Sequence, residues 1–275
     1  MKHVFVCAEI GINHNGDLNL AKRLIDAAVL SGCDAVKFQK RTVNLVYKQD
    51  FLDSPRESPW GTTQREQKEG LEFGRAEYDE IDAYCKERNI EWYASAWDVE
   101  AQKFLSHYNL RYNKIASAML VNDRLLEAVA QERKYTFIAT GMSSYEEIDH
   151  AVEIFEKYKC PYELMHCISE YPMNLENANL SLIKKLVDRY HCKVGYSGHE
   201  MDTLISASAV AMGATSIERH LTLDRTMYGS DQKVSIEPDE LFQLVRNIRI
   251  IEKVIGNGKK ELSSAEEETK KKLRS

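Results

Sequence analysis

The sequence is poor in the features that mark membrane, redox and dinucleotide-binding proteins. No apolar run approaches the roughly 20 residues that cross a membrane, and no predicted strand is followed by a G-x-G-x-x-G motif. None of the six cysteines belongs to a C-x-x-C pair. Acidic residues outnumber basic ones, 43 to 37, for a net charge of −6. Because nucleic-acid binding normally needs a basic face, we do not expect a nucleic-acid partner. Because no long apolar run is present, we do not expect membrane association either.

The cysteines and the first residues indicate a cytoplasmic protein. The cysteine spacing shows no disulfide framework, and the chain enters a predicted strand without a signal-peptide pattern. We therefore expect reduced thiols and a cytoplasmic location. The alternative for Cys7 or Cys167 is a nucleophilic role, although cysteines in strands are commonly just buried.

Short, β-rich apolar runs recur along the 275 residues. Runs of this kind, without alternation, are typical of parallel strands that are buried on both faces. Eight strands are predicted, at Val4–Ala8, Ala35–Phe38, Glu91–Ala94, Tyr112–Ile115, Tyr135–Ala139, Tyr162–Met165, Lys193–Tyr196 and Thr215–Ile217.

Segments of helical periodicity separate these strands. Asp17 before the first helix, Gly32 after it and Pro238 at the start of the last are typical boundary residues. The predicted helices are Leu18–Leu30, Tyr78–Arg88, Val99–His107, Asp123–Gln131, Tyr145–Lys157, Leu180–Tyr190, Thr203–Met212 and Pro238–Ile255. Eight strand–helix units predict an α/β fold, a single (β/α)8 TIM barrel over residues 1–258. A doubly wound open sheet is the alternative.

Two segments lie outside this alternation. The connection 41–74 follows the second strand, so it leaves from the carboxyl-terminal face, where barrel active sites lie. We interpret it as a lid, with a disordered insertion as the alternative. The charged tail, residues 259–275, is expected to extend a solvated helix or to hang free, without a second domain.

Two histidines follow neighbouring predicted strands. His199 and His220 end strands that would lie about 4.8 Å apart, so both imidazoles are within reach of one cation. Glu9 and Asp231 are nearby carboxylate candidates, because the eighth strand closes against the first. A purely structural role for each histidine is the alternative.

Two lysines emerge at strand ends as well. Lys37 and Lys114 are expected near the hydroxyl groups of Ser95, Ser117 and Thr140. Ammonium groups, hydroxyls and backbone N–H groups together bind phosphate or carboxylate. The pattern therefore predicts an anion site, with a Schiff-base lysine as the alternative.

Seven segments in order carry a family resemblance: AEIGINHNGD, VKFQK, NKIAS, ATGM, HCISEYP, GYSGH and IERHLTLDR. Together they resemble the N-acetylneuraminate (sialic acid) synthase family, which also covers legionaminic and pseudaminic acid synthases. The resemblance implies a (β/α)8 barrel and a carbon–carbon bond-forming transferase. The implied reaction condenses phosphoenolpyruvate with an open-chain hexosamine-type sugar, such as N-acetylmannosamine, to give a 2-keto-3-deoxy sugar acid and phosphate.

The same resemblance implies a role for each matching residue. His199 and His220 correspond to ligands of a divalent metal, Mn²⁺ or Mg²⁺, that polarises the aldehyde. The implied substrate contacts are Lys37, Ser95 and Lys114 for phosphate, Ser117, Ser169 and Ser197 for carboxylate, Gln39 beside this anion site, and Glu9, Tyr171, Glu218 and Asp231 for sugar hydroxyls or metal-bound water. Lys114 and these last four residues are the expected catalytic groups. For Glu218 the alternative is an ion pair with Arg219 or a lysine.

Three positions depart from the family pattern and leave the sugar open. Met119 stands where sialic acid synthases often carry a carboxylate, Ser169 where the family has asparagine, and Ala139 where it has serine or threonine. Many members also carry a small antifreeze-like domain after the barrel, which we do not expect within these residues. We expect a homodimer.

Two other functions stay open at this point. One is a different metal-dependent barrel sugar aldolase or sugar-phosphate isomerase, and the other is a non-catalytic binding partner of a synthase. The pairing of two lysines with three serines favours a phosphoenolpyruvate enzyme over a simple aldolase, which does not need such an anion site.

Overall fold

Eight parallel strands close into a barrel in the computed structural model, which describes residues 3–274. The strands are β1 (Phe5–Gly11), β2 (Ala35–Lys40), β3 (Glu91–Ala96), β4 (Tyr112–Ile115), β5 (Tyr135–Ala139), β6 (Tyr162–Cys167), β7 (Lys193–Gly198) and β8 (Ser216–His220). Each strand pairs with its chain neighbours, and β1 closes the ring against β8, with Glu9 opposite His220. The predicted TIM barrel is confirmed, and the open sheet is wrong.

Eight helices surround this barrel. They are α1 (Leu18–Ser31), α2 (Arg75–Glu87), α3 (Val99–Leu105), α4 (Asp123–Gln131), α5 (Tyr145–Lys157), α6 (Ser181–Tyr190), α7 (Leu204–Ala211) and α8 (Pro238–Val254). The Asp17 side chain caps α1, and Gly32 ends it in the left-handed conformation. Pro238 opens α8. All eight predicted helices are confirmed, with small differences at their ends.

Several strands continue further toward their carboxyl ends than the sequence predicts. The apolar runs place the end of β7 at Tyr196 and of β8 at Ile217, whereas the strands reach Gly198 and His220. The extra residues are polar, and their side chains point alternately into the barrel and toward the helices. Hydrophobicity cannot reveal such residues as strand, because Ser197, Glu218 and His220 line a polar cavity and Arg219 is buried in an ion pair.

Four aromatic rings pack across the amino-terminal part of the barrel interior. Phe5 stacks on Phe137 with ring centroids 5.4 Å apart, and Tyr112 lies 5.1 Å from Phe5. Tyr93 completes the group, 5.7 Å from Phe137. This aromatic floor fills the barrel below the site, so the polar cavity lies above it, at the carboxyl ends of the strands.

The long connection after β2 has secondary structure of its own. It contains two short helices, Val43–Val46 and Gln49–Leu52, a hairpin of Pro55–Ser58 with Gly61–Thr63, and the loop helix Gln64–Leu71. The expected alternative of a disordered insertion does not describe this segment. Thr63 and Glu66 form a capping box that starts the loop helix.

The connection is held over the barrel by close packing of small residues. A methyl group added at Gly70 would collide with the indole of Trp60, and one added at Gly16 would collide with the Gly70 carbonyl. Trp60 also packs edge-on against Tyr228, at 5.9 Å between centroids. Asn15 donates a hydrogen bond of 2.8 Å to the Tyr228 carbonyl. The loops after β1 and β8 therefore form the surface on which the connection lies.

The charged tail includes a final helix, Ser264–Leu273, that is exposed along its whole length. Within residues 3–274, no helix has both the length and the apolar character needed to cross a membrane. The six cysteines are all free thiols.

Candidate active site

One cavity of about 490 Å³ lies at the carboxyl ends of the strands. It is lined by all thirteen residues to which the family resemblance assigns a role: Glu9, Lys37, Gln39, Ser95, Lys114, Ser117, Ser169, Tyr171, Ser197, His199, Glu218, His220 and Asp231. Strand geometry explains this convergence, because alternate residues of a strand share one face. Lys37 and Gln39 of β2 point into the cavity, as do Glu218 and His220 of β8.

Two lysines and two carboxylates form a buried charge network at the base of the cavity. Lys37 forms an ion pair with Glu9, and its Nζ lies 3.6 Å from Oε1 of Glu218. Lys114 Nζ lies 2.8 Å from Oε2 of Glu218. All four side chains are almost fully buried. The two lysines therefore lie on either side of the Glu218 carboxyl group, and Glu9 contacts Lys37 from another side.

This network shifts the pKa of each carboxyl in a different direction. Burial raises the pKa of Glu9 to about 7, although Lys37 opposes the shift. Burial acts on Glu218 in the same sense, but Lys114 and Lys37 outweigh it and lower the pKa of Glu218 to about 2. Two carboxyls with such separated pKa values are typical of sites that hold and transfer protons.

Lys37 is an ammonium ion in this environment. Burial alone would lower the pKa of Lys37, but the carboxylates of Glu218 and Glu9 raise it well above its usual range. A Schiff base needs the free amine, so the surroundings of Lys37 favour anion binding over that alternative. Glu218 pairs with the lysines and not with Arg219, whose partner is Glu200.

Hydroxyl groups border the network on two sides. Lys37 donates a hydrogen bond of 3.0 Å to Ser95, and Ser197 donates one of 3.2 Å to Glu218. Across the cavity, the buried hydroxyl of Ser169 has no partner within residues 3–274.

Glycine at position 141 allows these hydroxyls to lie close together. The Gly141 N–H donates to Ser117 at 3.2 Å, and a methyl group at Gly141 would collide with the hydroxyl of Ser169. A backbone N–H and two serine hydroxyls at one place form a suitable site for a carboxylate.

The two histidines lie side by side, with ring centroids 5.6 Å apart. Nδ1 of His199 lies 2.8 Å from the Ile168 carbonyl, so Nδ1 carries the proton and Nε2 keeps its lone pair. Nδ1 of His220 is buried without a hydrogen-bond partner in the described chain, 3.9 Å from Asp231. Burial lowers the pKa of His199 to about 4 and also lowers that of His220. Both rings are therefore uncharged near neutral pH, which is the form in which imidazole binds metal ions.

Neutral imidazoles with a free ring nitrogen fit a divalent metal ion. Within residues 3–274, no group of three or more His, Cys, Asp or Glu side chains is arranged to hold a metal. The histidine pair would thus leave most coordination positions to oxygen atoms from outside the protein. Catalytic metal sites keep such open positions for substrate.

Several residues considered from the sequence lie outside the cavity or are unsuited to a nucleophilic role. The Thr140 hydroxyl donates to the Met165 carbonyl at 3.1 Å, and Thr140 does not line the cavity. Met119 packs against the core, whereas Ala139 lines the cavity. Burial raises the pKa of the Cys7 and Cys167 thiols, which does not favour their nucleophilic role.

The sequence reasoning missed two cations that also line the cavity, Arg41 and Lys68. Arg41 directly follows β2, and Lys68 lies on the loop helix Gln64–Leu71. The position of Arg41 one residue beyond a strand was a usable signal. Nothing in the pattern around Lys68 distinguishes it from the other charged residues of the connection.

The fold and the cavity define a (β/α)8-barrel protein with a polar site lined by lysines, serines and a histidine pair. The model of the NeuB family matches residues 24–260, and the chain belongs to that family. The resemblance drawn from the seven motifs is thereby confirmed.

The relatives of this chain include synthases of sialic-acid-type sugars. It is 38% identical over 272 residues to mouse N-acetylneuraminate-9-phosphate synthase, covering 98% of this chain and 76% of that protein. It is 36% identical to N,N'-diacetyllegionaminic acid synthase of Campylobacter jejuni, with 97% and 82% covered. Its fold matches N-acetylneuraminic acid synthetase from Leptospira borgpetersenii, solved with citrate, at a TM-score of 0.88 and 37% identity, with 98% and 92% covered.

Proposed function

We propose that this protein condenses phosphoenolpyruvate with the open-chain aldehyde of a hexosamine-type sugar, releasing phosphate. The product is a 2-keto-3-deoxy sugar acid. The observation that carries the proposal is the meeting of an anion site and a histidine pair in one cavity: Lys37 and Lys114 lie among serines, and His199 and His220 stand beside them. Family membership supports the same reaction, because relatives at 36–38% identity are named as synthases of this kind.

Phosphoenolpyruvate would bind at the base of the cavity. Lys37, Lys114 and Ser95 would hold its phosphate, while Ser117 and Ser169, with the Gly141 N–H, would hold its carboxylate. The phosphate would compete with Glu218 and Glu9 for the two ammonium groups. The hydrogen bonds that are given up and those that form are both charge-assisted, so the exchange replaces one strong bond with another.

In the reaction, C3 of phosphoenolpyruvate forms a bond with C1 of the sugar, and the aldehyde oxygen takes up a proton. Water adds at C2, and phosphate leaves by cleavage of its bond to carbon. Phosphate binding would draw the two lysines away from Glu218, which would then accept a proton more readily, and Glu9, whose pKa is raised, is placed to exchange one near neutral pH. Tyr171 and Asp231 also line the cavity, and we assign to them the binding of sugar hydroxyls.

We propose that His199 and His220 hold a divalent cation, Mn²⁺ or Mg²⁺. Bound there, the ion would act as a Lewis acid that polarises the aldehyde. The buried, unpartnered Nδ1 of His220 and the fixed tautomer of His199 are the observations that support this assignment.

The test is phosphate release from phosphoenolpyruvate in the presence of Mn²⁺, across a panel of hexoses, hexosamines and their phosphates. We expect release with a restricted set of acceptors, loss of release after chelation, and a nine-carbon keto acid by mass spectrometry. Ser117→Ala should raise KM for phosphoenolpyruvate, whereas Ser106→Ala, an exposed serine, should not.

The competing functions predict different results in the same assay. A lysine aldolase would use pyruvate without phosphate release, and borohydride would trap it covalently on Lys37 or Lys114. A non-catalytic partner would release no phosphate with any acceptor. Either result would reject the synthase proposal.

A further inference from the structure

Cys167 is the one cysteine within residues 3–274 that lines the cavity. It is the last residue of β6, and it is 3% exposed. Burial raises the pKa of its thiol, so the sulfur keeps its proton near neutral pH. A buried thiol that stays protonated acts through its hydrogen bonds, and its neighbours show which group it acts on.

Three polar groups from consecutive strand ends form a closed triangle around this thiol. Sγ of Cys167 lies 3.1 Å from Oγ of Ser117, and the backbone nitrogen of Gly141 lies 3.2 Å from each of them. Ser117 follows β4, and Gly141 follows β5. A methyl group at Gly141 would lie 2.9 Å from both the sulfur and the serine oxygen. Glycine is therefore the residue that allows the three groups to meet.

The contacts fix the direction of each hydrogen bond in the triangle. Within residues 3–274, the Ser117 oxygen is the one acceptor that the Cys167 thiol contacts. If Ser117 donated to the sulfur instead, the buried thiol proton would have no acceptor. The Gly141 N–H donates to the same serine oxygen, whose two lone pairs are then both used. The Ser117 hydroxyl proton consequently points out of the triangle, toward the cavity.

We propose that Cys167 is a positioning residue, whose thiol holds the Ser117 hydroxyl as a donor toward the carboxylate of phosphoenolpyruvate. The inference rests on the proposed function, which places that carboxylate against Ser117, Ser169 and the Gly141 N–H. A donor that is already oriented needs no reorganisation when the anion binds. Sulfur suits this role because it is a weak acceptor, so it does not retain the serine proton that the carboxylate needs.

The kinetic test replaces the thiol and follows each substrate separately. In Cys167→Ala, we expect KM for phosphoenolpyruvate to rise on the order of three- to tenfold, with kcat and the KM for the sugar nearly unchanged. Cys167→Val keeps the bulk but lacks the donor, so it should show the same rise. Cys167→Ser supplies a hydroxyl donor and should stay close to the wild type. The matched control is Cys85→Ala, because Cys85 is equally buried, lies on α2 and does not line the cavity.

A binding measurement separates this inference from the synthase proposal. Calorimetry without a sugar acceptor gives the affinities for phosphoenolpyruvate and for inorganic phosphate, which has no carboxylate. Weaker binding of phosphoenolpyruvate alone in Cys167→Ala, recovered in Cys167→Ser, supports the positioning role even if no turnover occurs. Unchanged affinity for phosphoenolpyruvate, or an equal loss with both anions, would overturn it and leave the synthase proposal standing. If the wild type bound no phosphoenolpyruvate, both proposals would be rejected.

Discussion

Arg219 and Glu200 form a buried ion pair beside the two candidate metal ligands. Nη1 of Arg219 lies 2.9 Å from Oε1 of Glu200, and the two side chains are 1% and 0% exposed. Each is the chain neighbour of one histidine, since Glu200 follows His199 and Arg219 precedes His220. Arg219 faces the helix layer because successive strand residues point to opposite faces. The ion pair therefore ties together the two strand ends that carry the imidazoles.

Replacing Arg219 with methionine should destabilise the barrel strongly, because it leaves the Glu200 carboxylate buried without its cation. We expect a loss of about 3–5 kcal/mol in the free energy of unfolding, measured by urea denaturation. A double variant, Arg219→Met with Glu200→Leu, should recover a large part of that loss because no buried charge remains. If Arg219→Met lowered the free energy of unfolding by less than about 1 kcal/mol, the ion pair would contribute little to the stability of the barrel.

His199→Ala and His220→Ala should each weaken Mn²⁺ binding at least about a hundredfold, because even partners of metal ligands contribute ten- to a hundredfold. Calorimetric titration of the metal-free protein measures this without reference to activity. The control is His150→Ala, at an exposed histidine that contacts Asp123. Unchanged Mn²⁺ affinity in both cavity variants would reject the metal assignment.

His14 should make the stability fall on acidification. Its ring stacks on Phe73 at 4.0 Å and accepts a hydrogen bond of 3.1 Å from Gly16, and burial lowers its pKa to about 3. The unfolded chain binds a proton near pH 6.5 that the folded chain excludes, so stability is lost as the pH falls from about 6.5 toward 3.

The contribution of this histidine is at most about 1.4 kcal/mol per pH unit in that window. His14→Phe keeps an aromatic ring beside Phe73 but cannot titrate, so its unfolding free energy should depend less steeply on pH than that of the wild type. The unfolding free energies of the two proteins are compared by chemical denaturation between pH 5 and pH 7. In this range a histidine of the unfolded chain titrates, with its ordinary pKa of about 6.5. Parallel pH profiles of the two proteins would contradict the prediction.

Gly70→Ala should loosen the connection 41–74, although alanine normally stabilises a helix by about 1 kcal/mol relative to glycine. The added methyl group has no room beside Trp60. We expect several-fold faster tryptic cleavage within 41–74, because local opening exposes its lysines and arginines. Gly74→Ala is the matched control, since a methyl group there meets only the Glu77 carboxylate at 3.3 Å. Equal cleavage rates in the two variants would exclude this packing as the anchor.

The fold could be predicted because the apolar runs that indicate strands and the residues that mark helix ends alternate regularly along the chain. Ala35–Phe38 and the other apolar runs lie in buried parallel strands, and Asp17, Gly32 and Pro238 mark helix ends through local chemistry. Most of the cavity could be predicted for a related reason. In a barrel, every strand ends on the same rim, so residues such as Lys37 are brought together by topology alone.

The remaining residues depend on how the connection folds back over the rim. Lys68 reaches the cavity only because Gly70 and Trp60 dock the loop helix on Gly16. That packing joins segments distant in sequence and has no periodic signature. The same limit applies to Arg219, whose partner Glu200 is set by the alignment of two strands.

Closure of the barrel has a consequence for biosynthesis. Glu9 and His220 stand opposite each other in the pairing of β1 with β8, so segments far apart in the sequence supply neighbouring walls of the cavity. While β8 is still inside the ribosome, the nascent chain has one candidate metal ligand, and its sheet has two unpaired edges. Such a nascent chain would depend on protection from aggregation until late in translation, and the reactive centre would arise all at once when the last strand docks.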